Sequence, residues 1–193
     1  MLVCVTDLRR RNRERARERI VAAAFALFAE RGFADVTVAD IAERAEVGRT
    51  TFFRHFGDKQ EVAFSNEHAM SALWGGWLDE LPPLTTLAEA LAEMRRIAVA
   101  MCRTYTADAA HYLAHQRLLR DNPELLDRSN RKFDRMAQAA RHSLERRGAE
   151  PEVAALAAHT AFACYRAGLD LAGGDPAALP AAVDAAFARL AER

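Results

Sequence analysis

The segment TVADIAERAEVGRTTFFRHFGDK, from Thr37 to Lys59, determines the fold that this sequence predicts. Its first residue suits the N-cap of a short helix, because Asp40 follows three residues later in the spacing of a capping box. A turn around Gly48 separates that helix from a second one. Phe52 and Phe56 lie one turn apart on the second helix and are expected to be buried. The segment therefore predicts a helix-turn-helix, with the motif at 37–56.

The sequence on either side of this segment predicts further helices. Residues 15–31 carry an apolar face and end before Gly32, a favoured residue for a left-handed cap. Asp58 suits the N-cap of a fourth helix. Prolines, glycines and capping residues divide the remainder into five more helices. These are expected over about 87–106, 108–120, 123–147, 151–172 and 176–191. We therefore predict an all-α protein of about nine helices.

Composition limits the possible classes of protein. About half of the 193 residues are hydrophobic, which is enough for a substantial core. The three cysteines form no CxxC pair, and no apolar run reaches the roughly 18 residues of a membrane span. These features favour a cytoplasmic protein without a membrane partner. No motif for nucleophilic, nucleotide-dependent or metal-dependent catalysis is present, so we expect neither an enzyme nor a cofactor nor a bound metal.

The charge of the chain is unevenly distributed although its formal net value is zero. Residues 1–59 contain 12 Arg or Lys and 9 Asp or Glu, and residues 60–193 contain 15 and 18. Within Arg9–Arg19 there are seven arginines against two glutamates. This segment suits an arm that contacts phosphates. A solvated tail explains the same pattern.

The second helix of the motif has the features of a DNA-recognition helix. Its N-terminal end would present Arg49, Thr50 and Thr51 to base edges. His55 and Lys59 lie further along, where phosphate contact is expected. Thr37, at the start of the first helix of the motif, could donate its hydroxyl and backbone N–H to a phosphate.

These residues resemble the TetR family of transcriptional regulators. The resemblance covers IVAAAFALFAERGF, VTVADIAERA and VGRTTFFRHFGDKQEV, about residues 15–62. Two positions depart from the family pattern. Glu46 replaces the usual glycine and is expected to adopt a left-handed backbone or a modified turn. Phe53 replaces a common tyrosine, so it would pack against the sugar-phosphate backbone rather than donate a hydrogen bond.

The resemblance implies a DNA-binding domain over residues 14–74 and an effector-binding and dimerisation domain over residues 75–193. It also implies a homodimer formed by the last two helices, in which the many alanines of 151–172 permit close approach. Phe187 and Leu190 would be the larger side chains at that interface. A monomeric helical core explains the same pattern.

Aromatic and methionine side chains in the central helices suit an apolar effector pocket, and they equally suit an ordinary core. The candidates for the pocket are Trp74, Trp77, Met101, Tyr105, Tyr112, Phe162, Tyr165 and Arg166. Arg166 could neutralise an acidic effector or pair with Asp170 on the same helix. Gly75 and Gly76 suggest that their helix bends or ends there.

We therefore expect a homodimeric regulator that binds a palindromic operator in double-stranded DNA. A small, apolar effector would release the regulator from this operator, so we expect a repressor. The alternative is a helical small-molecule-binding protein or enzyme that does not bind DNA.

Overall fold

A computed structural model describes residues 2–190, and it describes their side chains except those of 2–8, 10 and 67–69. Within these residues the chain forms ten α-helices and no strand, so the prediction of an all-α protein is confirmed. The helices are α1 (Leu2–Arg31), α2 (Val38–Arg44), α3 (Arg49–His55), α4 (Lys59–Ala63), α5 (Glu67–Asp79), α6 (Leu87–Tyr105), α7 (Ala109–Asp121), α8 (Pro123–Arg146), α9 (Pro151–Ala172) and α10 (Leu179–Leu190).

The chain divides into two compact units, Met1–Asn66 and Glu67–Arg193. The boundary predicted after residue 74 lies inside α5. In the first unit, α1 packs against α2 and α4, and α2 packs against α3. The core of this unit buries the side chains of Ile20 from α1, Ile41 from α2 and Phe52 from α3. This core supports the helix-turn-helix.

In the second unit, α9 lies at the centre and packs against α6, α8 and α10. Its buried alanines let the neighbouring helices approach closely; they are Ala154, Ala157, Ala158 and Ala161. Most of the alanine stripe predicted for the dimer interface therefore lies inside the core of the chain itself. Phe187 is buried in the same core, so its prediction as an interface residue is wrong.

Three helix boundaries differ from the prediction. The fourth predicted helix is two helices, because residues 64–66 form a turn between α4 and α5. The last helix begins at Leu179, one turn later than predicted. The predicted end at Gly75 and Gly76 is wrong, since α5 continues through both glycines to Asp79, and the bend there stays a prediction. Burial of Trp74 and Leu78 on this helix offsets the low helix propensity of the glycines.

None of the helices in the described part of the chain is both long and apolar enough to cross a membrane.

Candidate DNA-binding surface and effector site

The helix-turn-helix begins with the predicted capping box. The backbone N–H and the hydroxyl of Thr37 both donate to Asp40 Oδ2, at 2.7 and 2.6 Å. The Asp40 N–H donates in return to Thr37 Oγ1 at 3.2 Å. The hydrogen bonds from the Thr37 hydroxyl and N–H hold the pKa of Asp40 below its ordinary value. Both donors that we assigned to a phosphate are thus engaged within the protein, and the phosphate contact of Thr37 stays a prediction.

The turn between α2 and α3 has the hydrogen bonds of a Schellman motif. The Val47 N–H donates to Ala42 O at 2.9 Å, and the Glu46 N–H donates to Glu43 O at 3.0 Å. Glu46 has a φ of 53°, so the predicted left-handed backbone is confirmed. A side chain in this conformation costs about 1 kcal/mol relative to glycine. Its exposed ion pair with Arg19, at 3.8 Å, recovers little of that energy.

The recognition helix α3 packs into the core through one face and exposes the other. Phe52 and Phe56 are buried and pack against each other with ring centroids 6.0 Å apart. Arg49 and Thr50, at the N-terminal end, are exposed, and Thr51 is half-buried. The helix therefore presents a guanidinium and a hydroxyl at the end that enters the major groove in proteins of this type.

The side chain of Phe53 is 50% exposed beside the buried Phe52, with an interplanar angle of 85° between the rings. An exposed aromatic ring on this helix is available to pack against a sugar or a base. Its contact with the DNA backbone stays a prediction.

The C-terminal end of α3 carries a cation, Arg54, that is not among the predicted DNA contacts. Arg54 is exposed beside the half-buried His55. Burial lowers the pKa of His55, and the charges of Arg13, Arg17 and Arg54 lower it further. His55 is therefore neutral at neutral pH and suits a hydrogen bond rather than a charge contact. The adjacent arginines carry the positive charge at this end.

Lys59 also belongs to this surface by sequence, but its ammonium donates to three backbone carbonyls of the α1–α2 loop. Its predicted phosphate contact would compete with those bonds.

The Arg-rich segment is part of α1 and not an irregular arm. Arginine and glutamate favour helices, and residues 2–31 contain no glycine or proline. Its arginines at positions 9, 11, 13, 15 and 19 are exposed. Arg17 is half-buried, donates to the carbonyl of Ser65 and lies 5.3 Å from the ring centroid of Phe56. The phosphate contacts of the exposed arginines stay a prediction, whereas Arg17 supports the fold.

The predicted effector residues of the second unit form a connected aromatic cluster. Trp74 packs against Phe162 with ring centroids 5.7 Å apart, and Phe162 packs against Phe133 at 5.9 Å. Phe133 packs in turn against Tyr165 at 5.3 Å. Trp77, Met101, Tyr105 and Tyr112 belong to the same core. Phe133 is not among the residues predicted for the pocket, although its position on α8 brings it between two of them.

The aromatic cluster has a polar end. Tyr105 Oη and His115 Nδ1 are 2.6 Å apart, and the Tyr105 ring packs edge-on against Tyr112. Burial lowers the pKa of His115 to about 4, helped by the charges of His111 and Lys132. Burial also raises the pKa of Tyr105. Both groups are therefore uncharged at neutral pH. His115 is not among the residues predicted for the pocket, although it is the hydrogen-bonding partner of Tyr105.

Two candidates lie away from the centre of this cluster. Trp77 also lines an open surface groove of about 560 Å³ along α5, together with Leu73 and Glu80. Arg166 is exposed and donates to Asn130 Oδ1 at 3.0 Å, so the predicted ion pair with Asp170 is replaced by a bond to α8. Among the described residues, no three His, Cys, Asp or Glu side chains are arranged to hold a metal ion.

The fold and this surface define a helix-turn-helix DNA-binding protein with a separate helical C-terminal unit. The model of the family described as bacterial regulatory proteins, tetR family, matches residues 20–65, which extend from within α1 to the turn after α4. The chain belongs to the TetR family.

Individual relatives agree with this assignment. The regulator TcmR of Streptomyces glaucescens is 32% identical over 132 residues, 67% of this chain and 58% of TcmR. The transcriptional regulator MftR of Mycobacterium tuberculosis is 31% identical over 105 residues, 53% of this chain and 50% of MftR. The chain thus spans about half the length of these relatives. The solved structure of SmeT in complex with triclosan shares the fold, with a TM-score of 0.60 at 21% identity over 90% of both chains.

Proposed function

We propose that the protein is a ligand-responsive transcriptional repressor that binds a palindromic operator as a homodimer. The observation that carries the proposal is the exposed Arg49 and Thr50 at the N-terminal end of a helix anchored by buried Phe52. Arginine matches guanine O6 and N7, and threonine suits either a hydrogen bond or a thymine methyl. The exposed arginines of α1 add affinity for phosphates that does not depend on sequence.

We propose further that the effector binds in the aromatic cluster around Trp74, Phe162 and Tyr165. Clustered aromatic rings suit an apolar ligand, and the uncharged Tyr105–His115 pair suits one neutral hydrogen-bonding group on it. An effector releases the repressor only if it binds more tightly to the conformation with low DNA affinity. Arg166 bonds to Asn130 at the surface and is not needed by this proposal.

The function is tested with the purified protein and the DNA upstream of its own gene. Specific binding in a mobility-shift assay, competed by the same sequence but not by unrelated DNA, is the expected result. Any small molecule that co-purifies, identified by mass spectrometry, should then abolish the shift. Binding that does not discriminate between sequences would favour the alternative of a helical small-molecule-binding protein.

Exposed leucines on the last two helices support the homodimer. Leu156 and Leu171 on α9 are 54% and 70% exposed, and Leu190 on α10 is 49% exposed. Large apolar side chains exposed on adjacent helices are typical of a surface that a partner covers. The interface proposed here therefore uses these leucines, while Phe187 belongs to the core.

Leu156→Glu is expected to convert the dimer into monomers, because it places a charge in the proposed apolar interface. Sedimentation velocity measures the mass, and circular dichroism confirms that the helices remain. Leu113→Glu, on the exposed part of α7, is the matched control and should remain a dimer. A dimeric Leu156→Glu protein would place the interface elsewhere.

A further inference from the structure

Lys59, the first residue of α4, is bound to the loop that precedes α2. Its Nζ donates to the carbonyls of Phe33, Ala34 and Val36, at 2.7, 3.0 and 2.9 Å. The same ammonium lies 4.6 Å from the ring centroid of Phe33. An ammonium has three N–H donors, and all three are used.

Within residues 33–36 of this loop, the carbonyl of Asp35 also accepts a hydrogen bond from a cation. Arg31 Nη2 donates to Asp35 O at 3.1 Å, and Arg31 Nη1 lies 3.4 Å from the Asp40 carboxylate of the capping box. Four successive carbonyls, those of residues 33–36, therefore accept hydrogen bonds from lysine or arginine. A loop whose successive carbonyls are bonded to cations in this way is fixed against the helices that carry those cations.

These bonds connect the two ends of the helix-turn-helix. The loop 33–36 leads into α2, and Lys59 follows directly after the turn that ends α3. We propose that Lys59 is a positioning residue for DNA binding, which fixes the orientation of α2 and α3 through this loop and does not itself contact a phosphate. The proposal rests on the DNA-binding function proposed above.

The chemistry of the site requires lysine and excludes arginine as a substitute. The three carbonyls converge on one nitrogen, which matches a compact ammonium with donors in three directions. A guanidinium is a planar fork and cannot direct three N–H groups from one atom. Arginine would, in contrast, serve a phosphate contact at least as well as lysine.

The test compares Lys59→Met and Lys59→Arg with the wild-type protein, at a temperature at which circular dichroism shows all three folded. Operator affinity is measured over a series of salt concentrations, and amide hydrogen exchange is measured over residues 33–38. Arg120→Met removes one exposed positive charge from the C-terminal unit and serves as the control for net charge.

We expect both Lys59 variants to bind the operator about ten-fold more weakly or worse, since the loss of one aligned base contact costs that much. Their salt dependence should equal that of the wild type, and residues 33–38 should exchange faster. Arg120→Met should change none of these quantities.

Two results would overturn the proposal. A Lys59→Arg protein with wild-type affinity, together with a salt slope reduced by about 0.9 in Lys59→Met, would make Lys59 a phosphate contact. A lower melting temperature with unchanged affinity would make it a residue of stability only. If the wild type itself shows no specific DNA binding, the proposed function fails, and hydrogen exchange still reports whether Lys59 holds the loop.

Discussion

Gly168→Ala is expected to destabilise the C-terminal unit by about 2–3 kcal/mol, because α9 and α10 leave no space for a methyl group at this position. A Cβ on Gly168 would lie 2.3 Å from Val183 Cγ2 and 2.9 Å from both the Cα and the N of Val183. The side-chain contact could be relieved by rotation, but the two backbone contacts require the helices to separate. Separation would loosen the core around Val183 and Phe187, both of which are buried. The free energy of unfolding, from denaturant titration, measures the effect.

Gly75→Ala is the matched control for this substitution. Gly75 lies inside α5, and an added Cβ would meet no atom within 4 Å. Alanine should therefore stabilise the helix there by about 1 kcal/mol through its higher helix propensity. If both substitutions changed the free energy of unfolding equally, the close packing of α9 on α10 would be contradicted. If alanine stabilises at Gly75 and destabilises at Gly168, packing and not helix propensity determines the effect at Gly168.

The sequence was sufficient for the helix-turn-helix because the signals there are local. The capping box joins Thr37 to Asp40, and the apolar spacing that places Phe52 and Phe56 in the core spans one turn. The left-handed backbone at Glu46 was one of two conformations expected from the glycine that the family usually has there. Sequence patterns that span only a few residues depend little on the rest of the fold, so the local structure that they form can be predicted before the fold is known.

The features that the sequence did not predict depend on contacts between distant residues. The turn between α4 and α5 contains no glycine or proline, and its Ser65 carbonyl accepts a hydrogen bond from Arg17, far earlier in the chain. The carbonyls that bind Lys59 lie 23 to 26 positions earlier in the chain, so its bonds to them could not be predicted from the neighbouring residues. Helical periodicity also cannot distinguish a buried face such as that of Phe187 from one that a second subunit covers. In each case the deciding neighbour is supplied by tertiary structure.

Arg49→Ala is expected to weaken operator binding by about 1–3 kcal/mol and to relax the sequence preference at one base pair of each half-site. Arg49 is the first residue of α3 and is exposed, so its guanidinium is available for two hydrogen bonds to a guanine. Alanine keeps the helix and removes both donors. Affinities for the operator and for its single-base variants, measured at one salt concentration, give the preference directly.

Arg54→Ala tests whether a positive charge on the same helix contributes affinity for DNA without contributing to base recognition. Arg54 is exposed at the C-terminal end of α3, where a phosphate contact is favoured. Its loss should weaken binding to every sequence alike and reduce the salt slope by about 0.9, which is the contribution of one phosphate. If Arg49→Ala kept the full sequence preference while the salt dependence of its binding fell, Arg49 would be a phosphate contact and not a base contact. The N-terminal end of α3 would then anchor the helix on the DNA backbone, and base recognition would have to come from residues such as Thr50 and Phe53.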